Sequence, residues 1–190
     1  MWMELLAPGT FDALFLYEPP ARVLPPEAFG PTQKPTLAES VRYRRNRFVD
    51  HKDFESYLRV RQPYSEFREE SLAAYVRSGI RPHADGGYSL ACTPEFESMV
   101  YSTPDPELVE RLGELTLPVL IARGERTADR FVMMCAAVTE RIPNARLVVV
   151  PGVTHFGPME DPGLVAEVFR SEVEDAMEES VDRGRAQAAS

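Results

Sequence analysis

No stretch of this 190-residue sequence approaches the ~20 consecutive apolar residues that a membrane span requires. The first six residues, Met1 to Leu6, have no basic region and are too short for a signal peptide, so a cytoplasmic address is the default expectation. Cysteine is scarce. Cys92 and Cys135 alone can build neither a disulfide framework nor a zinc site, and their apolar or mixed surroundings suggest buried free thiols. No metal or cofactor is expected. Positive charge is also short: a net charge of −9 argues against nucleic acid as a partner, since phosphate contacts need a basic surface. The local exception, Arg42, Arg44, Arg45 and Arg47, reads as a solvated helix face balanced by Glu39 and Asp50. The acidic run from Glu172 to Asp182 reads as a solvated helix end. There is no internal repeat and no Gly/Ser linker. What remains is 44% hydrophobic and 27% charged, the composition of a globular domain with a real core.

Three stretches follow one another along the chain. The first, residues 1–35, is rich in proline and holds one short apolar run, Ala13 to Tyr17, between Pro8-Gly9-Thr10 and Pro19-Pro20. A continuous run of that length suits a strand buried on both faces of a parallel sheet. The second stretch, to about residue 106, is polar and helical. Helices are expected over Leu37–Asp50, Asp53–Val60 and Ser71–Ser78, the last closed by Gly79. A turn is expected over Pro82–Gly87, and no alternating pattern suggests a sheet. Tyr57, Tyr64, Phe67 and Tyr75 could line an apolar pocket or simply pack helix on helix.

The third stretch is the most regular. Pro118 to Arg123 predicts a strand ending at Gly124, and Phe131, Met134, Cys135, Val138 and Ile142 predict an amphipathic helix. Arg146 to Val150 predicts a second strand. A loop with His155 follows, and then a helix bearing Val165, Val168, Phe169, Val173 and Ala176. Strand, helix, strand, helix is the pattern of a parallel sheet with covering helices.

In such sheets chemistry gathers at the carboxyl ends of the strands. Two loops there are legible, Gly124 to Asp129 and Pro151 to Pro158. Adjacent parallel strands lie about 4.8 Å apart, so a carboxylate on the first loop could reach the imidazole on the second. A carboxylate on one ring nitrogen fixes the tautomer while the other nitrogen moves a proton. On spacing alone, a loop histidine reads first as a satisfied or solvent-facing residue rather than a catalytic one.

Arg123-Gly124-Glu125-Arg126 after an apolar strand, and Ile142 through Phe156 with Gly157-Pro158-Met159-Glu160-Asp161-Pro162 behind it, closely resemble the last third of α/β-hydrolases. Phe11 to Pro19 resembles that family's sixth strand, and the helical middle with Asp85 to Leu90 resembles its lid. The resemblance implies a partial α/β-hydrolase fold: a three-stranded parallel sheet with covering helices and a helical lid insertion. Core residues would be 1–35 and 107–180, the lid 36–106, and a flexible tail 181–190. It implies His155 as the base of a catalytic triad. The acid usually lies three or four residues past the glycine, where this chain has Thr127 and Ala128, so the carboxylates left are Asp129, one step further, and Glu125. Asp129 could equally serve the positive end of the next helix.

The family's nucleophile sits in Gly-x-Ser-x-Gly, and no such motif exists here. Gly87-Tyr88-Ser89-Leu90-Ala91 lacks the second glycine and a following helix, so Ser89 is read as structural. Cys92 and Cys135 have no elbow either. Two functions follow as expectations. One is a serine hydrolase acting on an ester or related bond of a small apolar or ester-like substrate. In it this chain supplies only the histidine and the acid and is inactive alone, as a partial gene product, the product of a mis-started reading frame, or one half of an enzyme whose second chain bears the N-terminal half. The other is a non-catalytic remnant or partner-binding module that docks through an open sheet edge at Ala13–Tyr17.

Overall fold

Helix α1 (Trp2–Leu6) is tied to the chain that follows it by a buried carboxylate, because Glu4 accepts hydrogen bonds from the Gly9 and Phe11 amides. Strand β1 (Leu14–Tyr17) comes next. This is a computed structural model in which residues 1–25, 28, 36–172 and 174 are described. The chain divides into two units, Met1–Ala28 with Asp105–Ser190, and Phe29–Pro104.

The second unit begins with α2 (Leu37–Arg42), opened by a capping box in which Thr36 and Glu39 satisfy each other's amides. Then come β2 (Arg47–Phe48), α3 (His51–Arg59), α4 (Glu69–Ser78), β3 (Ile80–Pro82), β4 (Tyr88–Leu90) and α5 (Pro94–Ser102). The helix expected to run to Asp50 stops at Arg42 instead. Asp50 caps α3 by accepting from the Asp53 amide, and Phe48 is drawn into a small antiparallel sheet of order β2-β4-β3. That sheet was not expected, since strands of two or three residues are too short to display an alternating pattern. The turn at residues 83–87 is present, and Gly86 and Gly87 take the positive φ it needs.

Phe54 and Leu58 on α3, and Leu72 and Val76 on α4, recur at steps of four and are buried. The aromatic residues pack on one another: Phe54 lies 4.8 Å from Phe48 and 6.0 Å from Tyr75, and Tyr64 contacts Phe67 and Tyr75. Tyr57 sits under the Arg61 guanidinium. Arg44, Arg45 and Arg47 have partners other than those expected. Arg44 pairs with Glu97 at 2.7 Å, Arg45 pairs with Asp53, and Arg47 donates to the Gly86 carbonyl. Cys92 is exposed, contrary to expectation.

The first unit resumes with α6 (Pro106–Arg111), capped by Asp105, which also accepts from the Trp2 indole. A short 3-10 turn leads to β5 (Val119–Gly124), α7 (Asp129–Arg141), β6 (Ala145–Val150), α8 (Gly157–Glu160) and α9, helical over residues 162–172. The three strands form a parallel sheet of order β1-β5-β6, with Tyr17 opposite Ala122 and Gly124 opposite Val150.

Alternate residues face opposite layers. Leu14, Leu16, Val119 and Ile121 pack with Leu112, Cys135, Val138 and Ile142. Phe15, Tyr17, Ala122 and Val150 pack with Val153, Val165 and Val168. Cys135 is therefore a core residue, its thiol pushed up to about 12 by burial and, secondarily, by the charge of Glu18. Of the acidic run, Glu172 pairs with Arg146 at 3.0 Å. Val173, residues 175–182 and the expected tail 181–190 lie outside the described residues. Among the described residues no helix is long and apolar enough to cross a membrane, and no group of three or more His, Cys, Asp or Glu side chains could hold a metal.

Candidate functional site

The carboxyl ends of β1, β5 and β6 converge on one buried carboxylate, and it is neither of the two expected. Glu18 directly follows β1, and its amide still donates to the Ala122 carbonyl in the ladder. Its φ of +42° then puts the backbone in the left-handed region, a conformation costing of order 1 kcal/mol or more in a residue other than glycine. Pro19 behind it disfavours ordinary helical geometry here. The side chain is fully buried.

A buried carboxylate must find donors. Oε1 accepts from the Gly124 amide at 2.9 Å, and Oε2 accepts from the Thr127 hydroxyl at 2.9 Å. Oε2 also lies 2.6 Å from Nδ1 of His155, whose side chain is 36% exposed.

Gly124 makes this meeting across two strands possible. A Cβ there would fall 2.6 Å from the Thr154 carbonyl oxygen and closer still to that of Val153. Without a side chain at the end of β5, the loop after β6 folds back over it, and Glu18 reaches across from the far side. The same loop is held by Glu160, which accepts from both the amide and the hydroxyl of Thr154. Tyr17 donates to the Thr154 carbonyl. Burial, and next the charge of Glu18, hold the Tyr17 phenol above its ordinary value. The imidazole ring itself is flanked by aromatics. Phe131, on the first turn of α7, lies flat against it at 4.1 Å and 8°, and Phe156 meets it edge-on at 5.0 Å.

Glu125 and Asp129 do other things. Glu125 is exposed and accepts from the Gly152 amide at 2.8 Å, stitching together the loops after β5 and β6. Asp129 is exposed as the first residue of α7, where its charge favours the helix dipole. Among the described residues neither is hydrogen-bonded to His155. Proximity of adjacent loops favoured them in the sequence. The register instead places the end of β1, one strand further away, level with the imidazole. The signal that could have pointed to Glu18 is its position, a lone carboxylate at the carboxyl end of an apolar parallel strand. Ser89 lies in β4, opposite Arg47 and Arg81, as a strand residue of the second unit.

Chemically, an ionised Glu18 can only accept, which puts a proton on Nδ1 and leaves Nε2 unprotonated in the neutral ring. Nε2 is then the nitrogen able to take a proton from a neighbouring group.

No family profile matches the chain. Over 111 residues it is 32% identical to the 2-(acetamidomethylene)succinate hydrolase of Mesorhizobium japonicum, a match covering 57% of this chain and 38% of that protein. In structure it is similar to a peroxisomal α/β-hydrolase of Saccharomyces cerevisiae (TM-score 0.72, 19% identity, 98% of this chain and 56% of that one). It is also similar to an esterase of Mycobacterium tuberculosis (TM-score 0.61, 17% identity, 91% and 56%) and to an E-2-(acetamidomethylene)succinate hydrolase (TM-score 0.55, 22% identity, 72% and 52%). The chain thus spans about half the length of these structures and less of the curated relative. With its parallel β1-β5-β6 sheet and the helices that cover it, the chain has the fold of part of an α/β-hydrolase.

Proposed function

We propose that this chain carries the acid–base half of a hydrolase active site, with His155 as the base and Glu18, rather than Asp129 or Glu125, as the acid. The observation supporting this is the 2.6 Å contact between Nδ1 and a carboxylate that is fully buried and held by two further donors. Nε2 would draw the proton from a serine hydroxyl as it attacks an ester or related acyl carbon, and would later return it to the leaving group. Glu18 would stabilise the imidazolium that forms between these steps, without itself taking the proton. The hydrolase activities of the relatives favour a small-molecule acyl substrate.

The nucleophile belongs, in this proposal, to residues outside this sequence, whether in the same polypeptide or in a second chain. Acid and base act as a unit with the nucleophile, so this chain alone should hydrolyse no ester. A fluorophosphonate probe tests that directly: no stoichiometric labelling is expected for the 190-residue chain. Stoichiometric labelling would contradict the proposal: if lost in Ser89→Ala it would make Ser89 the activated serine, and if retained it would mean that another serine of this chain is activated.

A further inference from the structure

The proposed pair has one feature that neither the base nor the acid explains. The oxygen of Glu18 that meets the imidazole, Oε2, is shared with the hydroxyl of Thr127. We infer that Thr127 is a positioning residue for the acid: its hydroxyl is the second of two pins that fix the plane of the Glu18 carboxylate, so that Oε2 stays aimed at Nδ1 of His155. This rests on the reading of Glu18 and His155 given above.

A carboxylate rotates about its last carbon–carbon bond with a broad, roughly two-fold preference, so one hydrogen bond does not set its plane. The Gly124 amide holds Oε1 from the end of β5, and by itself would act as a pivot. Thr127, three residues further along the same loop, holds the other oxygen at 2.9 Å. Both donors belong to one short segment whose backbone is fixed. The Glu125 amide donates to the Val150 carbonyl, the Arg126 amide to that of Val153, and the Thr127 amide to that of Gly124. The frame that orients the carboxylate is therefore the frame that seats the histidine loop. Because the Glu18 side chain is fully buried, bulk water cannot readily replace a lost donor. The imidazole is restrained separately, by the Phe131 ring against its face. Loss of the threonine hydroxyl should thus release the carboxylate plane without releasing the ring.

The test is proton NMR of the intact chain at fixed pH, reading the far-downfield Nδ1–H resonance of His155 and its exchange with water. In the wild-type chain a slowly exchanging signal is expected. Thr127→Val, which keeps the shape and removes the donor, should broaden that signal or exchange it at least tenfold faster, and Thr127→Ser should restore it. Backbone amide spectra verify the fold, and Thr127→Ala carries the same test if the valine variant does not fold. An unchanged signal in Thr127→Val would overturn the inference. So would a signal sharpened and moved further downfield, because Thr127 would then be competing with the histidine for Oε2 rather than aiming it. Glu18→Gln separates this failure from that of the underlying pair. If the resonance is absent from the wild-type chain or indifferent to Glu18→Gln, the Glu18–His155 reading itself fails. If it responds to Glu18→Gln but not to Thr127→Val, only the role of Thr127 falls.

Discussion

Gly124→Ala is expected to destabilise the chain by about 2–3 kcal/mol and to separate Glu18 from His155, a large effect for one methyl group. The three atoms nearest the added Cβ would all be backbone: the Val153 carbonyl oxygen, the Thr154 carbonyl oxygen at 2.6 Å and its carbon at 2.8 Å. None of these can turn aside as a flexible side chain could. Relief requires the whole turn after β6 to lift, and that turn carries His155. The Gly124 amide is also the donor to Oε1 of Glu18, so movement at this point disturbs the carboxylate and the imidazole together. Gly113→Ala is the matched control. Its nearest neighbour would be the Arg141 carbonyl oxygen at 3.8 Å, an ordinary contact, and its φ is not positive. There the loss of chain freedom in the unfolded state should give a change between neutral and about 1 kcal/mol stabilising. Urea midpoints of the two variants, together with the His155 Nδ1–H signal, check the difference.

Phe54→Ala should cost about 3–5 kcal/mol by leaving a cavity where a fully buried ring now packs against Phe48 and Tyr75. It lies in the Phe29–Pro104 unit, where the aromatic residues build a core of their own. The damage should therefore be local to that unit. Hydrogen exchange is expected to rise sharply through α3, α4 and the β2-β4-β3 sheet, while the amides of β5 and the His155 signal keep their protection. Equal loss of protection in β5 would show that the two units share one cooperative core.

The parts of the fold that were legible in the sequence are those that local pattern determines. The runs ending at Tyr17, Gly124 and Val150 are short, continuous and mostly apolar, and they became the three parallel strands; β1 and β5 are packed on both faces, while Leu147 and Val149 leave one face of the edge strand β6 exposed. The stripe on α7 was legible for the same reason. The β2-β4-β3 sheet was not, because its strands are shorter than the period that would reveal them. Cys92 is exposed although its neighbours read as apolar or mixed, since burial there is decided by tertiary placement rather than by adjacent residues.

At the candidate site, His155 stood out because its loop and flanking strand form a recognisable local pattern. Glu18 did not stand out. Its meeting with the imidazole depends on strand order, on the level at which β1 ends, and on the missing side chain at Gly124, and none of these is written near residue 18. Asp129 and Glu125 were favoured because the sequence places them in the loop after β5, adjacent to the histidine loop and beside the acid position that the resemblance implies. Asp129 was spent on the start of a helix and Glu125 on the Gly152 amide.

The identity of the acid is most directly tested by the tautomer of neutral His155, read from its two ring nitrogens by 15N NMR in the wild-type chain and in Glu18→Gln, Glu125→Gln and Asp129→Asn. The Gly124 amide can only donate, so a glutamine at 18 must place its oxygen at the Oε1 position and its NH2 toward Nδ1. That amide would donate to Nδ1 and force the ring proton onto Nε2. The expected result is an Nδ1–H ring in the wild-type chain, in Glu125→Gln and in Asp129→Asn, and an Nε2–H ring in Glu18→Gln alone. A tautomer that ignores Glu18→Gln and switches in Asp129→Asn or Glu125→Gln would contradict the assignment.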